Sequence, residues 1–243
     1  DGELAFYNSG LRVELPDEEY VGKQLEWIEK LFLNHYSKEL LKKKMVKKVI
    51  LAKNVTYCYR LGNKNLSEQE RDYFNNIANT LIFSHGDASV ENLANKDMLK
   101  MKNDLHTWML TEKLVDDYPM AELEDFLSVT DYSKTLSADY YEEWMAEGWL
   151  GRLANSEEAA RSEDIRNYVE MIITTPKEML EIDVNSISYP DPLFWVIGDY
   201  DYAGFLHPSM DVAGNIKKKY DLIVAAFKDW GVDLPVIGEL YYE

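Results

Sequence analysis

The chemistry open to this 243-residue chain rests on four histidines, one cysteine and an acidic, aromatic-rich set of side chains. His35, His85, His106 and His207 are scattered through the chain, and no H-E-x-x-H occurs. That motif places two imidazoles at i and i+4 on one helical face, with a glutamate as general base for a zinc-bound water. His106 lies in "NDLHTWMLTEKLVDDYP", on a helical pattern, and reads as a core or boundary residue packing beside Trp108. His35, near a helix end, reads as structural. His85 and Asp87 in "SHGDAS" have a metal-compatible H-x-D spacing, but a turn at Gly86 accounts for them. Cys58 stands alone in an aromatic strand pattern and reads as a small buried hydrophobe. A lone cysteine excludes an intrachain disulfide and a Cys-rich zinc site. Trp195, Tyr200, Tyr202 and Phe205 alternate with Asp199 and Asp201. That mixture suits stacking on a sugar with hydroxyl hydrogen bonding, suits protein contact, or packs a long loop onto the core. The chain has no Gly-rich phosphate loop and no nucleophile elbow.

Elements must position these residues. Residues 17–44 carry apolar side chains at helical spacing, with Asp17 as expected N-cap. "VKKVILAKNVTYCYR" reads as a strand and "LGNKN" as a turn. "SEQERDYFNNIA" opens with a capping-box pattern, Ser67 with Glu70, and leads into the short strand "NTLIFSH". Met98, Met101, Leu105 and Trp108 form the stripe of the next helix, which Pro119 stops. "AELEDFLSVTDY" and "SADYYEEWMAEGWLGRLA" are helical or turn-rich, with Gly148 and Gly151 as breakers. A second strong helix ends before Pro176, and a final one ends at Gly231. No internal repeat or low-complexity linker interrupts the chain. The expected organisation is an N-terminal segment, 1–16, followed by one α+β domain, 17–243.

Composition narrows the function classes. Apolar residues make up 46% and charged residues 29%, a globular balance. No apolar run approaches the ~20 residues of a membrane helix. A net charge of −18 disfavours nucleic acid and anionic membrane surfaces. The basic run Lys38–Lys48 reads as a solvated helix end.

In their order, "LHTWMLTEKLVDDYP", "FLSVTDY", "GWLGRLANS" and "SEDIRNYVEMI" resemble segments of the zinc-binding metallopeptidase lipoproteins of Bacteroidetes, which occur beside outer-membrane nutrient-import systems. The resemblance spans residues 21–234. It implies a zincin-like α+β fold with a small mixed sheet and packed helices. It also implies a lipid tether on a removed N-terminal cysteine, a cell-surface or periplasmic location, import proteins as partners, and a glycan or peptide as ligand. In this alignment of motifs His106 matches the first zinc histidine and Glu163 the acidic ligand, with Asp164 its neighbour. Thr107 stands at the general-base position, Leu110 at the second histidine and Asn167 at a second glutamate. Zinc needs about three protein ligands in a catalytic site, and threonine is no proton acceptor near neutral pH. The expectation is therefore a non-catalytic relative, without zinc, in which His106 and Glu163 are vestigial and Trp195, Asp199, Tyr200 and Tyr202 bind ligand. The alternatives are a working hydrolase holding metal through His106, Glu163 and a loop residue such as His207, and a generic protein-interaction module.

Overall fold

The computed structural model describes residues 9–59, 67–77, 79–133, 141–151, 154–188 and 200–241. The fold is mixed α+β, with small sheets and packed helices. It divides into two compact units. One is built from the residues up to Asn34 with Lys38–Met101, the other from His35–Ser37 with Lys102 onwards.

The first unit carries the strands. β1 (Ser9–Glu14) is followed by helices α1 (Val21–Leu31) and α2 (Lys38–Lys44), then β2 (Lys48–Leu51), β3 (Asn54–Tyr59), β4 (Ser67–Arg71), β5 (Tyr73–Ile77) and β6 (Thr80–Phe83). β1, β3 and β4 form an antiparallel sheet with β3 central. β2, β6 and β5 form a mixed sheet: β2 runs parallel to β6, and β5 antiparallel. All four residues of β6, "TLIF", are buried, as a central strand covered on both faces requires.

The structure departs from four of the expectations. The helix over 17–44 is broken: Phe32 leaves the helical region at φ −139°, and a short 3₁₀ turn intervenes before α2. The break lets the adjacent Leu31 and Phe32 both be fully buried, which one face of a straight helix serves poorly. Asp17 makes no side-chain cap; its carboxylate instead pairs with Lys53 at 3.0 Å. The capping-box pattern at Ser67 starts a strand, since pairing of β4 with β3 outweighs the local signal. Moreover "VKKVILAKNVTYCYR" supplies two strands, β2 and β3, which belong to different sheets.

α3 (Asn95–Thr107) leads from the first unit into the second. It continues as a single π-helical stretch, Trp108–Lys113, closed by Leu114 N–H donating to the Met109 carbonyl at 3.0 Å. The wider turn buries the consecutive side chains Trp108, Met109 and Leu110. Then follow α4 (Glu124–Leu127), α5 (Tyr141–Ala146), α6 (Glu157–Thr174), α7 (Lys177–Leu180), α8 (Asn215–Asp229) and α9 (Leu234–Gly238). The Ser156 hydroxyl caps the N-terminus of α6 by accepting from Ala159 N–H, and Thr175 ends the helix just before Pro176. α8 ends as expected, with Gly231 at φ +92°.

Candidate functional site

His106 is fully buried near the end of α3. Its Nδ1 lies 2.7 Å from the Tyr36 hydroxyl, and the two rings stack at 5.5 Å; His35 meets it edge-on at 5.4 Å. Burial pushes the Tyr36 phenol well up, so it keeps its proton and can donate to Nδ1. Tyr36 and His35 are thus among its ring neighbours. Thr107 is half-buried, and its carbonyl accepts the Thr111 hydroxyl at 2.7 Å. Leu110 is fully buried, and its carbonyl accepts the Tyr118 hydroxyl at 2.8 Å. Tyr36→Phe leaves Nδ1 in a buried place without this donor. It is expected to cost about 1–3 kcal/mol, read as a lower urea midpoint at unchanged slope; an unchanged midpoint would show the bond contributes nothing.

On α6 the acidic pair divides its roles. Glu163 is half-buried. Asp164 is fully buried and is held by the ammonium of Lys219, on α8 and equally buried. The Tyr132 hydroxyl donates to Asp164 at 2.5 Å, and Leu150 N–H donates at 3.1 Å. Lys219 also donates to the Thr130 hydroxyl at 2.8 Å and sits over the Phe126 ring, 4.3 Å from its centre, with Tyr168 at 5.0 Å. Desolvation pushes the Asp164 carboxyl up and the Lys219 amine down, while their pairing opposes both shifts. Desolvation also raises Tyr132, with the Asp164 charge adding to it, so its hydroxyl stays a donor. Asn167 donates to the Leu150 carbonyl at 2.9 Å, and Tyr168 to the Gly148 carbonyl at 2.7 Å. Gly148, at φ +70°, makes the turn that presents this carbonyl. α6 therefore uses Asp164, Asn167 and Tyr168 to fix the segment Gly148–Leu150.

Sequence reasoning missed Lys219, Tyr132 and Thr130. A signal for Lys219 was present: it lies three residues after Ile216 and four before Ile223, on the buried stripe of α8. Lys102, another fully buried lysine, likewise lies three residues before Leu105. Its ammonium donates to the Ile173 carbonyl at 2.8 Å.

The second unit also has an open groove of about 510 Å³. Val115, Tyr118, Met120 and Ile165 give it apolar walls; Glu158 and Arg161 bring charge. Its volume falls within the range of small-ligand sites, and Ser162, beside Glu163, reaches it.

Trp195 and Asp199 lie outside the described residues. Tyr200 is half-buried, and Tyr202 is half-buried and packs edge-on against Phe205 at 5.5 Å. His207 Nδ1 is 2.8 Å from the Ser209 hydroxyl and 3.7 Å from Asp183 in a turn. His85 pairs with Asp72, while Asp87 caps a 3₁₀ turn by accepting from Ser89 N–H. Among the described residues, no group of three His, Cys, Asp or Glu side chains is disposed to hold a metal ion. Leu110, fully buried and apolar, offers no lone pair to a zinc ion.

Comparison with protein-family models, curated proteins and solved structures finds no match to this chain.

Proposed function

We propose that the chain is a zincin-like relative of the zinc metallopeptidase lipoproteins that has lost metallopeptidase chemistry and serves at the cell surface in capture of a glycan or peptide, or as an accessory of an import system. The observation that carries this reading is Leu110, fully buried and apolar one helical turn after His106. A zinc ligand must direct a lone pair at an accessible metal, and here the helix positions for base and second histidine hold Thr107 and Leu110. The groove beside Ser162 supports binding, since it combines apolar walls with a few polar groups.

The test is metal analysis of protein purified without chelator, together with a glycan and peptide binding screen. The expected result is zinc well below one ion per chain, no peptidase activity on added zinc, and binding weakened by Met120→Asp in the groove. Stoichiometric zinc lost on His106→Ala would overturn the reading in favour of a working hydrolase. Failure of every glycan and peptide to bind would favour a protein-interaction module.

A further inference from the structure

The first unit places Asp72, His85 and Ser89 in one hydrogen-bonded line. Asp72 Oδ1 is 3.0 Å from His85 Nε2, and His85 Nδ1 is 3.1 Å from the Ser89 hydroxyl. A carboxylate can only accept, so Nε2 carries the proton in neutral imidazole and Nδ1 is left as the basic lone pair facing Ser89. The Asp72 carboxyl is lowered by this bond, which keeps it ionised.

The surroundings hold this line in place. Gln24 of α1 donates to the carbonyls of Ala52, Phe83 and Ser84 at 3.0, 3.2 and 2.7 Å, tying together the C-terminal ends of β2 and β6. Ser84 N–H donates to the Asp72 carbonyl at 2.8 Å, fixing Asp72 beside the end of β6. Trp27 meets the His85 ring edge-on at 5.7 Å. Gly86 then passes so close to Ala52 that a Cβ would lie 2.8 Å from its carbonyl oxygen. His85 itself adopts φ +67°, a conformation that costs a non-glycine residue about 1–3 kcal/mol and persists where its surroundings over-determine it. The Ser89 backbone N–H donates to the Asp87 carboxylate at 2.9 Å, and the hydroxyl, with a single proton, shares it between that carboxylate and His85 Nδ1. Ser89 is exposed and His85 partly so, leaving the hydroxyl open to solvent.

We propose that Asp72, His85 and Ser89 form an acyl-transfer site in which Ser89 attacks small carboxylic esters, His85 is the base and Asp72 orients it. The Ser89 oxygen bonds to the ester carbonyl carbon while its proton passes to His85 Nδ1. The carbon–alkoxide bond then breaks, and the leaving alcohol takes that proton. Water, deprotonated by the same nitrogen, attacks the acyl-serine; the carboxylic acid departs and Ser89 regains its proton. The site is independent of the groove and of the His106 region, and its failure would leave the preceding reading untouched.

The probe is an alkyl fluorophosphonate, which a serine so activated captures with loss of fluoride. Its adduct is followed by intact mass and peptide mapping, alongside p-nitrophenyl acetate turnover. One adduct is expected, on Ser89, with ester turnover abolished by Ser89→Ala. His85→Gln is expected to slow labelling about 10²-fold or more, and Asp72→Asn to slow it less, with circular dichroism unchanged in Ser89→Ala. Absence of an adduct, an adduct on another residue, or equal labelling of His85→Gln would overturn the proposal.

Discussion

Asp164→Ala is expected to destabilise the protein by about 3–5 kcal/mol, a large fraction of the 5–15 kcal/mol that holds an ordinary domain folded. The size follows from what the substitution strands. Lys219 is fully buried on α8, and its counter-charge is Asp164. Without it the ammonium keeps, among the described residues, the Thr130 and Tyr132 hydroxyls and the rings of Phe126, Tyr132 and Tyr168. Leu150 N–H also loses its acceptor. The converse variant, Lys219→Met, has an escape, because an isolated buried carboxylate can take up a proton. The folded Asp164 carboxyl would then titrate far above its unfolded value. Between those two values the folded state holds the extra proton, so the stability of Lys219→Met should fall as pH rises through that window. The double variant Asp164→Leu/Lys219→Met should recover most of the loss, because replacing a whole buried pair by apolar groups is often neutral or better. Urea denaturation of the parent, Asp164→Leu, Lys219→Met and the double variant gives the cycle; a loss below about 1 kcal/mol for Asp164→Ala would mean that the pair is not desolvated as its burial implies.

This pair also marks where the sequence stops being legible. The ends of α6 and α8 are written locally, in Pro176 and Gly231. Local signals failed where a remote partner decides. Ser67 and Glu70 spell a helix start, but β3 recruits them into β4. Trp108, Met109 and Leu110 are three consecutive apolar residues, and only the π-turn buries all three. The order of motifs around His106 directed attention to Glu163 as the acidic residue of interest, whereas the buried network is built on its neighbour Asp164. Lys219 lies 55 residues from Asp164 in sequence, within a run of three lysines that reads as solvent-facing. Only its phase on the apolar stripe of α8 betrays it. Asp72, 13 residues before His85, offers no spacing rule at all, because the antiparallel pairing of β5 with β6 brings the two together. Helix periodicity was therefore readable, while the pairing of polar groups required the packed chain.

The second large effect concerns Lys102, and here stability should rise with pH. Its ammonium lies fully buried against the C-terminal end of α6, where the Ile173 carbonyl accepts from it. A helix C-terminus favours a cation by up to ~2 kcal/mol, but desolvation prevails. Burial lowers the Lys102 amine from 10.5 to about 7, with Glu239 pulling weakly the other way. The unfolded chain, with its amine at the ordinary value, therefore binds more protons than the folded one between pH 7 and 10.5. Stability gains about 1.4 kcal/mol per pH unit from this group across the window, on the order of 4–5 kcal/mol in all. Below pH 7 both states are protonated and the contribution is flat. The buried phenols of Tyr36, Tyr118, Tyr132 and Tyr168 act in the opposite sense, because burial raises them and the unfolded chain loses those protons first. Their effect begins near pH 10, and the Lys219 amine, also lowered by burial, acts in the same sense as Lys102, so it is the difference between parent and Lys102→Met from pH 7 to 9.5 that isolates Lys102. Lys102→Met keeps the length and volume of the side chain, removes the charge, and forfeits one hydrogen bond worth about 1 kcal/mol. Its urea midpoint should lie at or above that of the parent at pH 7, and the two should converge and cross as the pH rises. If both proteins change in parallel from pH 7 to 9.5, Lys102 is not the titrating group, and its ammonium remains charged against the Ile173 carbonyl throughout.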